Sequence, residues 1–321
     1  MELYCSFLSL NAGTYVRTIA IDRLVNQFLD DNGEHAPPKK QIISLGAGSD
    51  TRPFRIFASR PRSSLVYHEI DFPVNTTTKI KAIRASPLLR KTLGMTDDGE
   101  PDTIISVKGD AFHSDSYHIH PIDLRALLPS VLQADDAETL LLDTNIKSLL
   151  SSIENKLPTI LLSECCLIYM PPEEAIGVLE FFAKHLFHAS SPDFPPLGLI
   201  LYEQIQPDDP FGKTMVSNLA TRGIRLQTLH KYASLEAQKQ RLKDHDFRNG
   251  QGTADIDFIW QRWVNEIEKE RVASLELLDE IEEWKLLAQH YCVAWGWRQS
   301  DKNGDVKAFE GWKDIESQLA S

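Results

Sequence analysis

Cysteine is scarce in this chain, with four among 321 residues: Cys5, Cys165, Cys166 and Cys292. Small secreted domains that depend on disulfides contain a much higher proportion, so the sequence excludes a disulfide framework. Cys165 and Cys166 also lie inside an apolar run, which is typical of buried packing thiols. We therefore expect a reducing compartment, with the cytoplasm as the default location.

Positive charge is also in short supply. Lys and Arg total 34 against 46 Asp and Glu, giving a formal net charge of −12. Binding to a phosphate backbone depends on clustered basic residues, so a nucleic-acid partner is disfavoured. The apolar stretch from Leu3 to Leu10 is too short and interrupted for a membrane helix, and no basic segment precedes it as in a signal peptide. We expect a soluble enzyme, a monomer with no membrane partner.

Short apolar strands alternate with helix-length segments along the chain, a pattern that predicts a parallel sheet with helices on both faces. The predicted strands are Gln41–Leu45, Leu65–Ile70, Thr103–Lys108, Thr159–Glu164, Gly198–Gln204 and Tyr291–Trp297. Apolar spacing of three or four predicts a helix from Pro171 to Leu186. The fold class is thus α/β, doubly wound and Rossmann-like. Three irregular stretches, Leu93–Asp102, Gln133–Leu157 and Ser190–Pro196, are interpreted as surface loops.

The most informative motif follows the first predicted strand. Gly46-Ala47-Gly48 lets a backbone approach a ligand where a Cβ would collide, and Asp71 closes the second strand, where an acid can bind ribose hydroxyls. Arg52 stands near the position of the third glycine of a dinucleotide motif. This departure favours S-adenosylmethionine over a pyrophosphate cofactor.

A mostly helical stretch of residues 207–289 separates the last two predicted strands. We interpret residues 1–321 as a single domain in which this stretch is a helical lid or substrate-binding insertion above the carboxyl ends of the strands. Its Phe258, Trp260 and Trp263 are interpreted as core rather than pocket, since aromatic residues at helical spacing usually pack in a core.

Together, several segments in the right order resemble the leucine carboxyl methyltransferases, which methylate the C-terminal leucine of the protein phosphatase 2A catalytic subunit. The resemblance runs from about Asn11 to Trp297. It rests on Leu45–Arg52, Glu69–Pro73, Leu162–Met170, Tyr202–Gln204, Phe211–Gly212, Ser234–Leu242, Ser274–Glu280 and His290–Cys292.

The resemblance implies a cofactor, S-adenosylmethionine, and a set of site residues. Arg17 would lie at the active centre, in contact with the cofactor and in a catalytic role. Gly46 would admit the cofactor and Asp71 would hold its ribose. Asp123 and Leu124 would flank the adenine, while Glu164 would lie near the methionine moiety. Tyr169, the second catalytic residue, would reach the substrate carboxylate with its hydroxyl.

A metal is not expected. His113, His118 and His120 have no recognised ligand spacing with the nearby acids and thiols, and methyl transfer from a sulfonium needs no metal.

Alternatives remain open at this point. Relatives carry a further upstream segment that covers the cofactor, so a chain starting at Met1 is expected to bind cofactor weakly or to be a non-catalytic phosphatase-binding homologue. A small-molecule O-methyltransferase is a second alternative. The sister group that modifies transfer RNA adds a long β-propeller, for which this chain ends too early.

Overall fold

A nine-stranded sheet runs through the computed structural model of the protein, which describes residues 2–30, 39–95, 103–128, 143–188, 194–275, 281–300 and 308–319. The strands are β1 (Lys40–Leu45), β2 (Leu65–Asp71), β3 (Ile104–Ile105), β4 (Phe112–His113), β5 (Tyr117–Pro121), β6 (Thr159–Glu164), β7 (Leu197–Gln204), β8 (Gly250–Asp255) and β9 (Tyr291–Arg298). Their order across the sheet is β3-β4-β5-β2-β1-β6-β7-β9-β8.

The central five strands, from β5 to β7, are all parallel, and only the flanks contain antiparallel pairs. The chain leaves β1 toward one edge and returns to β6 on the other side of β1. Strand order therefore reverses beside β1, and such a switch point opens a crevice at the carboxyl ends of the strands, where ligands of open α/β sheets bind.

Helices cover both faces of the sheet, as the doubly wound prediction requires. The helices are α1 (Glu2–Leu29), α2 (Arg52–Ser59), α3 (Pro73–Ala85), α4 (Pro87–Leu93), α5 (Thr144–Ser152), α6 (Pro172–Glu180), α7 (Pro210–Thr221), α8 (Leu235–Asp244), α9 (Ile256–Arg262), α10 (Glu266–Leu275) and α11 (Ile281–Gln289). One apolar cluster contains side chains of α1, α2, α3, α9 and α11. A second cluster contains those of α5, α6 and α8. Among the described helices, none is long and apolar enough to cross a membrane.

Five predicted strands are confirmed within one residue at each end, but the third is wrong. Within Thr103–Lys108 only Ile104–Ile105 is strand, and it pairs antiparallel at the sheet edge. The strand that lies parallel to β2 is β5, Tyr117–Pro121. This short strand was missed because its two histidines and terminal proline leave only Tyr117 and Ile119 as strong strand residues.

Two further elements were missed. Thr144–Ser152, interpreted as loop, forms α5, whose N-terminus is capped by the side chain of Asp143 accepting from Asn145 N at 2.7 Å. Gly250–Asp255 forms β8 inside the stretch predicted as helical. Its glycines conceal the strand, and they are needed because a Cβ on Gly250 would stand 2.1 Å from the Trp297 ring. The remaining parts of the other two predicted loops, residues 96–102 and 190–193, lie outside the described residues.

The helix predicted from Pro171 is confirmed as α6, followed by a π-helical turn at Phe181–Leu186. The aromatic residues of the 207–289 stretch are core, as predicted. The rings of Trp260 and Trp284 pack edge to face at 5.7 Å, and those of Trp263 and Trp295 at 5.5 Å. The role of this stretch as a substrate-binding insertion remains a prediction.

Candidate active site

The turn after β1 is shaped by its two glycines. Gly46 and Gly48 have φ values of 65° and 51°, a left-handed backbone that other residues rarely adopt. A Cβ on Gly46 would stand 2.5 Å from Cys166 Sγ, so this position must lack a side chain to pack against the segment after β6. A Cβ on Gly48 would meet none of the described residues within 4 Å. The space beside Gly48 can therefore hold a ligand. Glycine is required at position 46 for a different reason, its close packing against Cys166.

Asp71, at the end of β2, holds the glycine turn against β2. One carboxylate oxygen accepts from Gly48 N at 2.6 Å, and the other accepts from Phe72 N at 2.7 Å and Asn75 Nδ2 at 2.8 Å. A carboxylate offers about four lone-pair sites, so three donors leave room for one more. The carboxylate is thus rigidly oriented and still able to accept a bond from a ligand hydroxyl.

The segment after β5 lies beside Asp71, because Ile122 N donates to the main-chain oxygen of Asp71 at 2.9 Å. Asp123 follows and caps a 3₁₀ turn at Leu124–Leu127, while the side chain of Leu124 is buried. The forked guanidinium of Arg125 bonds both oxygens of Asp123, which lowers the pKa of that carboxyl. The structure therefore brings Asp71, Asp123 and Leu124 together at one edge of the crevice.

Arg52 forms ion pairs with three carboxylates of the site. The sequence analysis did not predict this role. The Arg52 guanidinium bonds Asp22 of α1 at 2.8 Å, Glu164 at the end of β6 at 2.7 Å, and Asp50 in the glycine turn. The side chain is only 3% exposed. Burial disfavours the charge, but the carboxylates of Glu164, Asp50 and Asp22 outweigh it and raise the pKa of Arg52. One fixed cation therefore joins the first helix, the glycine turn and the fourth parallel strand along the chain.

Arg17 and Glu164, which the resemblance assigned to the active centre and to the methionine moiety, lie side by side. Arg17 Nε is 3.4 Å from Glu164 Oε2, and the guanidinium stands 5.3 Å from the centre of the Tyr202 ring. The Nε atom is buried and faces Glu164, while the side chain as a whole is 34% exposed. The forked cation is thus held against Glu164 at Nε and remains partly open to solvent.

Tyr169 lies on a 3₁₀ turn, Leu167–Tyr169, just after β6. It is 39% exposed, and burial of the remainder raises its pKa to about 12. The phenol is therefore protonated at neutral pH and can donate a hydrogen bond. Nearby, the rings of Tyr202 and Tyr291 stack at 5.6 Å, which adds an aromatic wall that the sequence analysis did not predict.

The paired thiols at this strand end are not nucleophiles. Burial raises the pKa of both Cys165 and Cys166 to about 12, so both are protonated at neutral pH. Cys165 adopts a left-handed φ of 48°, and its backbone N donates to Tyr202 O at 2.8 Å. These residues shape the end of β6 by packing, as the sequence predicted.

This sheet, with polar groups gathered at the carboxyl ends of its central strands, is doubly wound and Rossmann-like. Residues 5–183 match the family described as leucine carboxyl methyltransferase. Since that match spans more than half of the 321 residues, the chain belongs to the leucine carboxyl methyltransferase family and is an S-adenosylmethionine-dependent methyltransferase.

Relatives in fungi are similar over nearly the whole chain. Leucine carboxyl methyltransferase 1 of Aspergillus fumigatus is 56% identical over 316 residues, covering 96% of this chain and 77% of that protein. The protein of the same name from Emericella nidulans is 54% identical, covering 97% and 78%. The one from Schizosaccharomyces pombe is 37% identical, covering 88% and 80%. Among solved structures, geranyl diphosphate C-methyltransferase from Streptomyces coelicolor aligns with a TM-score of 0.43 at 10% identity, over 88% of this chain and 78% of that one.

Removal of the central cation tests this description of the site. Arg52→Met should leave three partly buried carboxylates without their shared partner and lower the free energy of unfolding by about 3 kcal/mol. Chemical denaturation monitored by circular dichroism measures the change. Arg55→Met is the matched control, because Arg55 also pairs with Asp22 but is 46% exposed. It should cost less than about 1 kcal/mol. Equal effects of the two variants would refute the central place of Arg52.

Proposed function

We propose that this enzyme transfers a methyl group from S-adenosylmethionine to the α-carboxylate of the C-terminal leucine of the protein phosphatase 2A catalytic subunit, forming a methyl ester. The observation that carries the proposal is Arg17, a forked cation that is paired with Glu164 at the carboxyl ends of the central strands and is still 34% exposed. A planar guanidinium matches a carboxylate better than any other side chain. The free cysteines are compatible with the cytoplasm as the place of this activity.

The residues at the crevice fit the cofactor. In this proposal the open side of Gly48 and the turn at Gly46 admit it, and the remaining lone pair of Asp71 accepts from a ribose hydroxyl. Asp123 and Leu124 flank the adenine, one as an acceptor for its amine and the other as an apolar surface. Glu164 balances positive charge at the methionine end. When bound, the cofactor supplies an electrophilic methyl group on a sulfonium.

The acceptor needs orientation more than activation. A C-terminal carboxylate has a pKa of about 3.5, so it is ionised at neutral pH and requires no general base. Arg17 would hold that carboxylate through the terminal nitrogens of its guanidinium. Tyr169 would donate a hydrogen bond to the same group, since burial raises its pKa to about 12 and keeps the phenol protonated. Positioning of this kind supplies about 7–11 kcal/mol in favourable cases.

Cofactor binding tests the role assigned to Asp71. Asp71→Ala should lose one charge-assisted hydrogen bond worth about 1.5–3 kcal/mol, which corresponds to roughly ten- to a hundredfold in the dissociation constant of S-adenosylhomocysteine. Titration calorimetry measures it. Asp115→Ala, an exposed acid in the turn between β4 and β5, is the control and should bind normally. Unchanged affinity in folded Asp71→Ala would refute the assignment.

Methyl transfer tests the substrate. With methyl-labelled S-adenosylmethionine, base-labile label should appear on the intact phosphatase catalytic subunit and be absent from a subunit lacking its last leucine. Arg17→Lys should lower kcat/KM at least tenfold, because an ammonium cannot reproduce the planar fork. Arg23→Lys is the matched control on the same helix; its guanidinium lies over Trp263 and should not matter for transfer.

Each competing function predicts a different result. Equal labelling of intact and truncated subunits would contradict the terminal carboxylate as acceptor. Binding to the phosphatase without label at saturating cofactor would support a non-catalytic homologue. Label that enters only small carboxylic acids would support a small-molecule methyltransferase.

A further inference from the structure

Four histidines lie on one face of the sheet. His68 on β2 is the register partner of His118 on β5, and His113 on β4 pairs with His118 from the other side. His120 shares the face of His118 because alternate residues of a strand point the same way. The sequence analysis considered His113, His118 and His120 but missed His68, which a different strand supplies.

The imidazoles are in close contact. His68 Nδ1 and His120 Nε2 are 3.2 Å apart, as are His113 Nδ1 and His118 Nδ1. The rings of His68 and His118 stack with their centres 4.7 Å apart. One ring nitrogen from each of His68, His118 and His120 lies within 4.8 Å of the other two. Three nitrogen ligands are thus gathered in a space the size of a metal coordination sphere.

Hydrogen bonds to Gln41 fix the tautomer of His68. Gln41 Oε1 accepts from Glu154 N at 3.0 Å, while Gln41 Nε2 donates to Thr159 Oγ1 at 3.1 Å. The amide is therefore oriented with its oxygen toward His68 Nε2, 3.2 Å away. His68 Nε2 donates to it, so Nδ1 of the neutral ring carries the lone pair and faces His120. A ligating histidine whose other nitrogen donates to an oxygen is the usual arrangement at metal sites.

The cluster is not fully satisfied by its own hydrogen bonds. His120 is fully buried, and its Nδ1 has no hydrogen-bond partner within the described ranges. An unpaired polar atom is costly in a protein interior.

We propose that His68, His118 and His120 bind a divalent first-row metal ion of the zinc class, with Gln41 supporting His68. Neutral imidazole nitrogen is a ligand that suits zinc, and His68, His118 and His120 each have one ring nitrogen within 4.8 Å of the other two. His118 and His113 are only partly buried and give the ion access from the surface. Lys39, which contributes to lowering the pKa of His118, is itself paired with Glu154. None of these three histidines is among the residues assigned to the cofactor or the acceptor.

Zinc binding to the full chain tests the proposal. After treatment with a chelator, the protein should take up one equivalent of Zn²⁺ in equilibrium dialysis, and Co²⁺ should give the intense visible absorption of a tetrahedral site. Gln41→Leu keeps the side-chain volume but removes the support of His68, and should weaken Zn²⁺ binding about 10- to 100-fold. His118→Ala removes a ligand and should weaken it more. His185→Ala, an exposed histidine outside the cluster, is the control and should bind as the unaltered protein does.

Each possible result either supports or rejects the metal site. Failure of the unaltered protein to bind Zn²⁺, or binding that His118→Ala and Gln41→Leu leave unchanged, would overturn the site. If His118→Ala does not fold, the Co²⁺ spectrum of the unaltered protein and the affinity of Gln41→Leu still decide, because an octahedral spectrum or normal affinity would each reject it.

Discussion

The active-site region depends on one buried cation. Arg52 is the first residue of α2, so its position is set by the turn after β1, and its guanidinium reaches Asp22 of α1, Asp50 of the turn and Glu164 of β6. Without a counter-charge, three ionised carboxylates this close together would repel one another. The arrangement explains why a bulky cation stands near the place where a dinucleotide fold has its third glycine: three separate elements are joined there instead.

The two proposed ends of the reaction are connected through the same cation. Glu164 bonds Arg52 on one side and lies beside Arg17 on the other, and α1 carries both Arg17 and Asp22. Arg17 is thus oriented by groups that Arg52 itself holds in place. Asp71 fixes the opposite wall by accepting from the turn at Gly48. In the proposed function, orientation of an ionised carboxylate is the main task, and a rigid set of charges serves that task better than a mobile acid or base.

Sequence alone could predict the elements whose patterns are local. Strands β1, β6 and β7 contain apolar runs and β2 begins with one, and the glycine turn and Asp71 follow directly from their positions at strand ends. Contacts between distant segments could not be predicted. The role of Arg52 depends on Asp22, 30 positions before it, and on Glu164, 112 positions after it. Gly46 must be glycine because a side chain there would collide with Cys166. Strands β5 and β8 were missed because they contain residues that are uncommon in strands. In β5 these are histidines that stack on one another, and in β8 they are glycines that leave room for tryptophan rings.

The most direct test of this account is a double-mutant cycle of Arg52→Met and Asp22→Asn, with S-adenosylhomocysteine affinity measured by calorimetry. Asp22 connects α1 to Arg52 and has no proposed contact with the cofactor. The account predicts that each change weakens binding, and that the double variant is weakened by less than the sum, with a coupling of about 0.5–3 kcal/mol. Additive effects, or normal affinity without Arg52, would contradict the claim that this cation organises the site.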